Sequence, residues 1–249
     1  MWSARYLEML AARIELVRTA ECEPMAKAAA AMAESIASGG MIYVFGCGHS
    51  AALSMDIFYR AGGLMLVQPI FDERVLLHHR PVTETSEWER REGWAPELFA
   101  ASGARGDDTM LVLSTSGRNG APVDMALVAK DAGLTVIGIT SLAYAGSLPS
   151  RHSSGKRLCE IADIVVDTCV PAGDAMIEVP GLREKVGPGS TFGFVTAVNA
   201  INCEVARLLT ERGHPLFVNI SHNLLPPDEA QKQMAKVWEA YIEKVKSRV

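Results

Sequence analysis

Five short apolar runs punctuate this chain at intervals: Met41 to Phe45, Leu64 to Val67, Met110 to Leu113, Leu134 to Thr140 and Asp163 to Asp167. Most are bounded by Gly or polar residues, and all are too short for helices, so they read as strands buried on both faces. Between and around them the period is helical. Leu7, Leu10, Ile14 and Val17 recur at helical spacing within residues 2–37, and Ala28 to Ala33 is strongly helix-forming. Glu23-Pro24 is expected to break this segment into two helices, and Gly39-Gly40 ends the second. Helices are also expected from Ser50 to about Arg60, from Glu97 to Ala101, from Asp124 to Ala132 and from Leu158 to Ala162, with Gly133 as a C-terminal stop. Ser190 and Thr191 cap a long helix to about Leu209, whose Phe192, Val195, Val198, Ile201, Val205 and Leu208 form a core-facing stripe. Phe217 to Ile220 reads as a short extended piece. Pro226-Pro227-Asp228 leads into a last helix to about Lys246, with Met234, Val237 and Ile242 available to the core or to another subunit.

Buried strands alternating with helices imply an α/β fold with a doubly wound, five-stranded, mainly parallel sheet and right-handed crossovers. No repeat or low-complexity linker is present, which predicts one domain: N-terminal helices over 1–38, an α/β core over 39–225 and a C-terminal helix over 226–249. Two segments exceed what a plain crossover needs. Residues 74–95 are polar but carry Trp88 and Trp94, which favours an ordered lid or a partner contact. Ser141 to Gly155 is a second long polar loop after a strand's carboxyl end.

Of 249 residues, 49% are hydrophobic and 21% charged, enough for a large core. A net charge of −5 argues against broad nucleic-acid binding but leaves room for a local anion pocket. No apolar run reaches membrane-spanning length, and the start Met1-Trp-Ser-Ala-Arg lacks a signal-peptide core, so a cytoplasmic protein without membrane partners is expected. Five cysteines without paired spacing read as buried thiols in a reducing compartment. Without CxxC or HExxH a structural zinc site is not expected, and the adjacent His78-His79 would seldom converge on one ion. No metal or other cofactor is expected.

The candidate chemistry gathers at strand ends. Met110-Leu-Val-Leu-Ser-Thr-Ser-Gly-Arg-Asn-Gly120 runs from strand through a tight turn into a helix, with Pro122 tolerated in its first turn. Such a turn sets free amides and the hydroxyls of Ser114, Thr115 and Ser116 at the positive end of a helix, an anion cradle suited to phosphate. An ordinary capped βα loop has the same pattern. Gly46-Cys47-Gly48-His49-Ser50 is a second such turn, with Ser50 near a helix start. Cys47 and His49 are nucleophile and base types, but no third orienting group is evident. Asp72 and Glu73 lie just past the second strand, at the sheet edge where ligands bind in open α/β folds; a solvated acidic loop is the alternative. Ser190 and Thr191 offer a third hydroxyl-rich edge.

Gly46-Cys-Gly-His-Ser50 after strand one, with Ser114-Thr-Ser-Gly-Arg-Asn119 after strand three, resembles the SIS (sugar isomerase) domain family over roughly residues 30–225. Arg151-His-Ser-Ser-Gly-Lys156 and Lys185-Val-Gly-Pro-Gly-Ser-Thr191 are similar to single-domain members. The resemblance implies a flavodoxin-like strand order, a sugar 6-phosphate ligand, and a homodimer or higher homo-oligomer whose loops close the pocket. It implies Ser114, Thr115, Ser116 and Asn119 as phosphate ligands, helped by Gly48, His49, Ser50, Ser190 and Thr191. Against the N-acetylmuramic acid 6-phosphate etherases, Glu73 and Glu92 occupy positions similar to two catalytic glutamates, although Trp94 interrupts the Glu-Gly-Ala context of the second. The late-helix His of phosphoheptose isomerases is replaced by Asn199 and Asn202. The expected function is an enzyme acting on an (N-acetyl)hexosamine 6-phosphate by carboxylate-assisted proton abstraction, lyase, dehydratase or etherase-like. An aldose–ketose isomerase and a non-catalytic sugar-phosphate sensor are the alternatives.

Overall fold

The computed structural model describes residues 1–216, 218–221, 223 and 226–248, with some side chains of the last helix outside that description. Two helices, α1 (Trp2–Ala20) and α2 (Cys22–Ala37), precede a parallel sheet of β1 (Ile42–Gly46), β2 (Val67–Pro69), β3 (Thr109–Leu113), β4 (Thr135–Thr140) and β5 (Ile164–Asp167). The spatial order is β2-β1-β3-β4-β5, the expected doubly wound arrangement. β1 and β3 are buried at every position, as wholly apolar runs require. The remaining helices are α3 (His49–Asp56), α4 (Thr83–Arg90), α5 (Ala95–Ala101), α6 (Gly120–Asp131), α7 (Leu142–Ser147), α8 (Leu158–Ile161), α9 (Ser190–Glu211) and α10 (Pro227–Lys246).

Apolar side chains pack on both faces of the sheet. On one face Ile42, Val44, Leu111 and Ile137 meet Met32 and Ile36 of α2 and Phe194, Ile201 and Val205 of α9. On the other, Tyr43, Phe45, Met110 and Val112 meet Trp94, Met125 and Tyr241. Helix α9 is long and apolar enough to cross a membrane by length and composition (mean hydropathy 1.2), contrary to the reading that no run is. Most of its apolar stripe packs in the core, with Val198, Ile201, Val205 and Leu209 buried and Val195 and Leu208 partly so, but Phe192, expected on that stripe, is exposed.

Several boundaries differ from the sequence reading for local reasons. The α1–α2 break falls at Glu21, not Pro24, because Pro24 sits in the first turn of α2, where its missing N–H needs no partner. The second strand begins at Val67 rather than Leu64, since Leu64 leaves the sheet edge to form an isolated antiparallel bridge with Val218. Helix α3 ends at Asp56, short of Arg60. The loop after β4 contains α7, started by the Ser141 hydroxyl accepting from the Tyr144 amide. A hairpin of β6 (Ala175–Ile177) and β7 (Val186–Pro188) forms where only loop was expected. Of the five cysteines only Cys47 is buried; Cys22 and Cys203 are exposed and Cys159 and Cys169 intermediate, so the expectation of five buried thiols does not hold. Phe217, His222 and the Val237 side chain lie outside the described residues; Met234 is buried and Ile242 exposed.

Candidate functional site

Gly46 ends β1 where an added Cβ would lie 2.7 Å from the backbone of Ser50, so only glycine lets α3 start this close to the strand. Gly48 follows at φ 58° and donates its amide to the Val75 carbonyl (2.7 Å), which ties this turn to the 3-10 turn Glu73–Val75. After β3, the Gly117 amide donates to Ser114 Oγ (3.2 Å) and closes the second turn. The Thr115 carbonyl accepts from the Ser141 amide (3.0 Å), tying that turn to the end of β4. Among the described residues, the amides of Thr115 and Ser116 and the hydroxyls of Ser50, Thr115 and Ser116 make no hydrogen bond. They are donors left available to a ligand.

These turns open on one cavity of about 580 Å³, within the size range of small-molecule sites. Gly48, His49 and Ser50 line it, with Ser114, Thr115, Ser116 and Asn119 of the second turn and Ser190 and Thr191 at the start of α9. All nine residues expected around the phosphate therefore meet in one place. The wall is completed by Val82, Thr83, Thr85, Ser86 and Glu89 from α4 and its approach, by Leu77, and by Tyr144, Asp174 and Pro188.

Neither of the two expected catalytic carboxylates, Glu73 and Glu92, is among the lining residues. Glu73 is exposed in the 3-10 turn beyond β2. Glu92 lies past the end of α4 and accepts from the Ser153 amide (2.8 Å) and hydroxyl (2.5 Å). The Ser153 hydroxyl holds the Glu92 carboxyl below its usual range. Glu92 thus pins the Arg151–Lys156 loop. His152 serves the same loop: its Nε2 pairs with Asp124 Oδ1 (2.9 Å) and its Nδ1 with Ser154 Oγ (2.8 Å).

The carboxylate that does line the cavity beside the serine turn is Glu89. Burial pushes its pKa up, against a hydrogen bond from Asn119 that favours the charged form. Asn119 Nδ2 donates to Glu89 Oε1 (2.8 Å) and Asn119 Oδ1 accepts from Arg151 Nη1 (3.0 Å). The expected phosphate ligand Asn119 is therefore engaged in orienting a carboxylate. A partly buried Glu with a raised pKa, held by Asn119, which Arg151 holds in turn, is equipped to take and return a proton. The signal for Glu89 was the spacing Val82-Ser86-Glu89, which lies on one face of a helix once α4 is recognised. Glu92 follows the C-cap at Arg91 and falls off that face.

Segment 74–95 is ordered, as Trp88 and Trp94 suggested. Arg74 lies 4.7 Å over both indole rings while pairing with Asp72 (2.7 Å), and Trp94 packs edge-on against Phe45. Gly120 lets this segment approach α6, since a Cβ there would lie 2.6 Å from the Arg90 carbonyl. Cys47 lines the cavity, but burial above all, then the Glu89 and Asp72 charges, push its thiol well up, so it is a neutral wall group and a poor nucleophile. His79 pairs with Glu84 (3.0 Å) outside the cavity, while His78 is exposed. Among the described residues, Glu21, Asp167 and Cys169 bring three metal-ligand types within 4.8 Å, away from the cavity. There Glu21 Oε2 already accepts the Asp167 amide and Asp167 Oδ1 the Leu142 and Cys169 amides.

Comparison with known proteins agrees with this architecture. A family model described as SIS domain matches residues 5–141. The chain is 41% identical over 245 residues to a UPF0309 protein of Geobacillus sp. (strain WCH70), covering 98% of this chain and 96% of that one. It is 38% identical over 245 residues to a UPF0309 protein of Geobacillus thermodenitrificans, covering 98% and 95%. In structure it is similar to phosphoheptose isomerase GmhA from Neisseria gonorrhoeae, at 17% identity and TM-score 0.54 over 82% of this chain and 99% of that one. A phosphoheptose isomerase from Francisella tularensis is similar at 18% identity and TM-score 0.54, over 82% and 96%. At these identities the structural likeness bears on the fold alone.

Proposed function

We propose a function from one premise, that this chain belongs to the SIS domain family. The cavity binds a sugar phosphate, with the phosphate on the turn Ser114-Thr115-Ser116 and on Ser50. Glu89 then removes the proton alpha to the sugar's carbonyl. The observation that carries this reading is the meeting, in one cavity, of unengaged donors at two βα turns with a carboxylate whose pKa is raised by burial. The ligand class is an (N-acetyl)hexosamine 6-phosphate. The family names of similar structures, phosphoheptose isomerases among them, are in keeping with a phosphosugar.

Proton removal at that carbon is the first step of both an elimination and an aldose–ketose isomerisation. The two-glutamate elimination expected from Glu73 and Glu92 loses its support with those residues outside the cavity wall. One base that takes a proton and returns it to the neighbouring carbon fits a single Glu89 and favours the isomerase reading. The donors left on the turns would stabilise the phosphate and the developing enediolate oxygen.

The experiment is proton exchange with N-acetylglucosamine 6-phosphate in deuterated water, followed by NMR at C2. Exchange with loss of a substituent supports a lyase; for isomerisation the same measurement is made with glucose 6-phosphate, whose C2 hydroxyl can become a ketone, and exchange with a ketose product there supports it. Tight binding without exchange would leave a sensor. For the cradle, Thr115→Ala with Ser116→Ala is expected to weaken sugar-phosphate affinity by about 10- to 100-fold, the range for hydrogen bonds to a charged group. Unchanged affinity in a calorimetric titration would move the phosphate elsewhere.

A homo-oligomer closing the cavity is also proposed. It is supported by exposed apolar side chains on α1, Leu7 at 62% and Leu16 at 41%, and by Phe192 at 44% beside the cavity residue Thr191. Light scattering is expected to give at least a dimer mass, and a monomer at micromolar concentration would contradict it.

A further inference from the structure

A second carboxylate belongs to the cavity wall and has no part in the mechanism above. Asp174 precedes β6 at φ 68° and lines the cavity beside Ser190. Its Oδ1 accepts from the Gly189 amide (3.0 Å) and the Ser190 amide (2.7 Å), and its Oδ2 accepts from Ser190 Oγ (2.9 Å). The protein has thus filled the positive end of its longest helix with its own anion. Ser190 was expected to help hold the phosphate, yet both its amide and its hydroxyl are engaged by Asp174.

We propose that Asp174 is a specificity residue that restricts this cavity to sugars with a single anionic group and receives their uncharged or ammonium-bearing end. The proposal rests on the phosphosugar reading. A carboxylate has about four acceptor positions, and three are used here, which leaves one for a sugar hydroxyl or ammonium donor. The Gly189 and Ser190 amides, which could have compensated a second phosphate or carboxylate at the start of α9, are already taken. A second anion beside Asp174 would meet a like charge in a partly desolvated site, with the Gly189 and Ser190 donors already committed to that charge. The phosphate is directed to the serine turn, where amides and hydroxyls remain unengaged.

The test compares N-acetylglucosamine 6-phosphate with N-acetylglucosamine 1,6-bisphosphate by calorimetric titration, in the full chain and in Asp174→Asn. Asparagine is among the residues most tolerant of positive φ, and its amide oxygen still accepts from the Gly189 and Ser190 amides, so the helix start is retained. Wild type is expected to bind the monophosphate at least about tenfold more tightly than the bisphosphate. Asp174→Asn is expected to bring the two within about threefold, chiefly by strengthening the bisphosphate. Equal affinities in wild type, or an unchanged ratio in a folded Asp174→Asn, would overturn the proposal. Failure of the folded wild type to bind either sugar would overturn the phosphosugar reading and this proposal with it, a result distinct from binding without discrimination.

Discussion

Glu89→Gln is expected to lower exchange at C2 of the sugar phosphate by about 10²- to 10⁴-fold, the range a positioned general base supplies. Affinity is expected to stay within about threefold, because glutamine keeps the oxygen that accepts from Asn119 Nδ2. The acting form is the carboxylate, and burial raises its pKa. Activity should therefore climb with pH through a value above the ordinary glutamate range. The same shift carries a stability signature of known sign. A carboxyl whose folded pKa is raised binds more protons folded than unfolded, so stability falls as pH rises from the unfolded pKa through the folded one. Thermal unfolding of Glu89→Gln should match wild type at acid pH and exceed it at neutral pH. Glu92→Gln gives the contrast, since that side chain holds Ser153 rather than facing the cavity. If Glu92→Gln abolishes exchange while Glu89→Gln retains it, the base has been assigned to the wrong glutamate.

Arg248→Met is expected to cost about 3–5 kcal/mol of unfolding free energy, the usual penalty for stranding one half of a buried ion pair. Arg248 and Asp108 are joined at 2.5 Å, with side chains only 1% and 0% exposed. Asp108 also accepts from the amides of Met41 (2.7 Å) and Arg105 (2.8 Å). The second residue from the chain's end thus locks the segment after α10 onto the entrances of β1 and β3. Removing the guanidinium leaves a buried carboxylate with two amide donors and no countercharge. Urea unfolding reads the loss as a lower midpoint at a similar slope. Arg248→Met combined with Asp108→Asn should recover part of it, because a neutral amide is less costly to bury. An unchanged midpoint in the single variant would mean that the pair contributes nothing to the folded state.

Some of the site was readable from residue types in order. Ser114, Thr115 and Ser116 declare themselves because a tight turn after an apolar run needs small polar residues. The Gly46–Ser50 turn is readable for the same reason, since only glycine permits its close approach. Glu89 was within reach: offsets of three residues from Ser86 and seven from Val82 mark one helical face, but that face has meaning only if α4 is recognised within a polar segment. Arg248 and Asp174 carry no local signal. Each is an ordinary charged residue whose partner lies far along the chain, Asp108 in one case and the start of α9 in the other.

The sequence by itself determined the five strands, their alternation with helices and the two hydroxyl-rich turns, because apolar period and turn chemistry are local properties of neighbouring residues; that only Val166 of the edge strand β5 is fully buried was decided by packing. Tertiary structure alone decided which carboxylate faces the cavity, which one closes a helix end and which one is buried against Arg248. A carboxylate's role depends on what burial and its nearest donors do to its charge, and those neighbours are brought together only when separate stretches of chain pack.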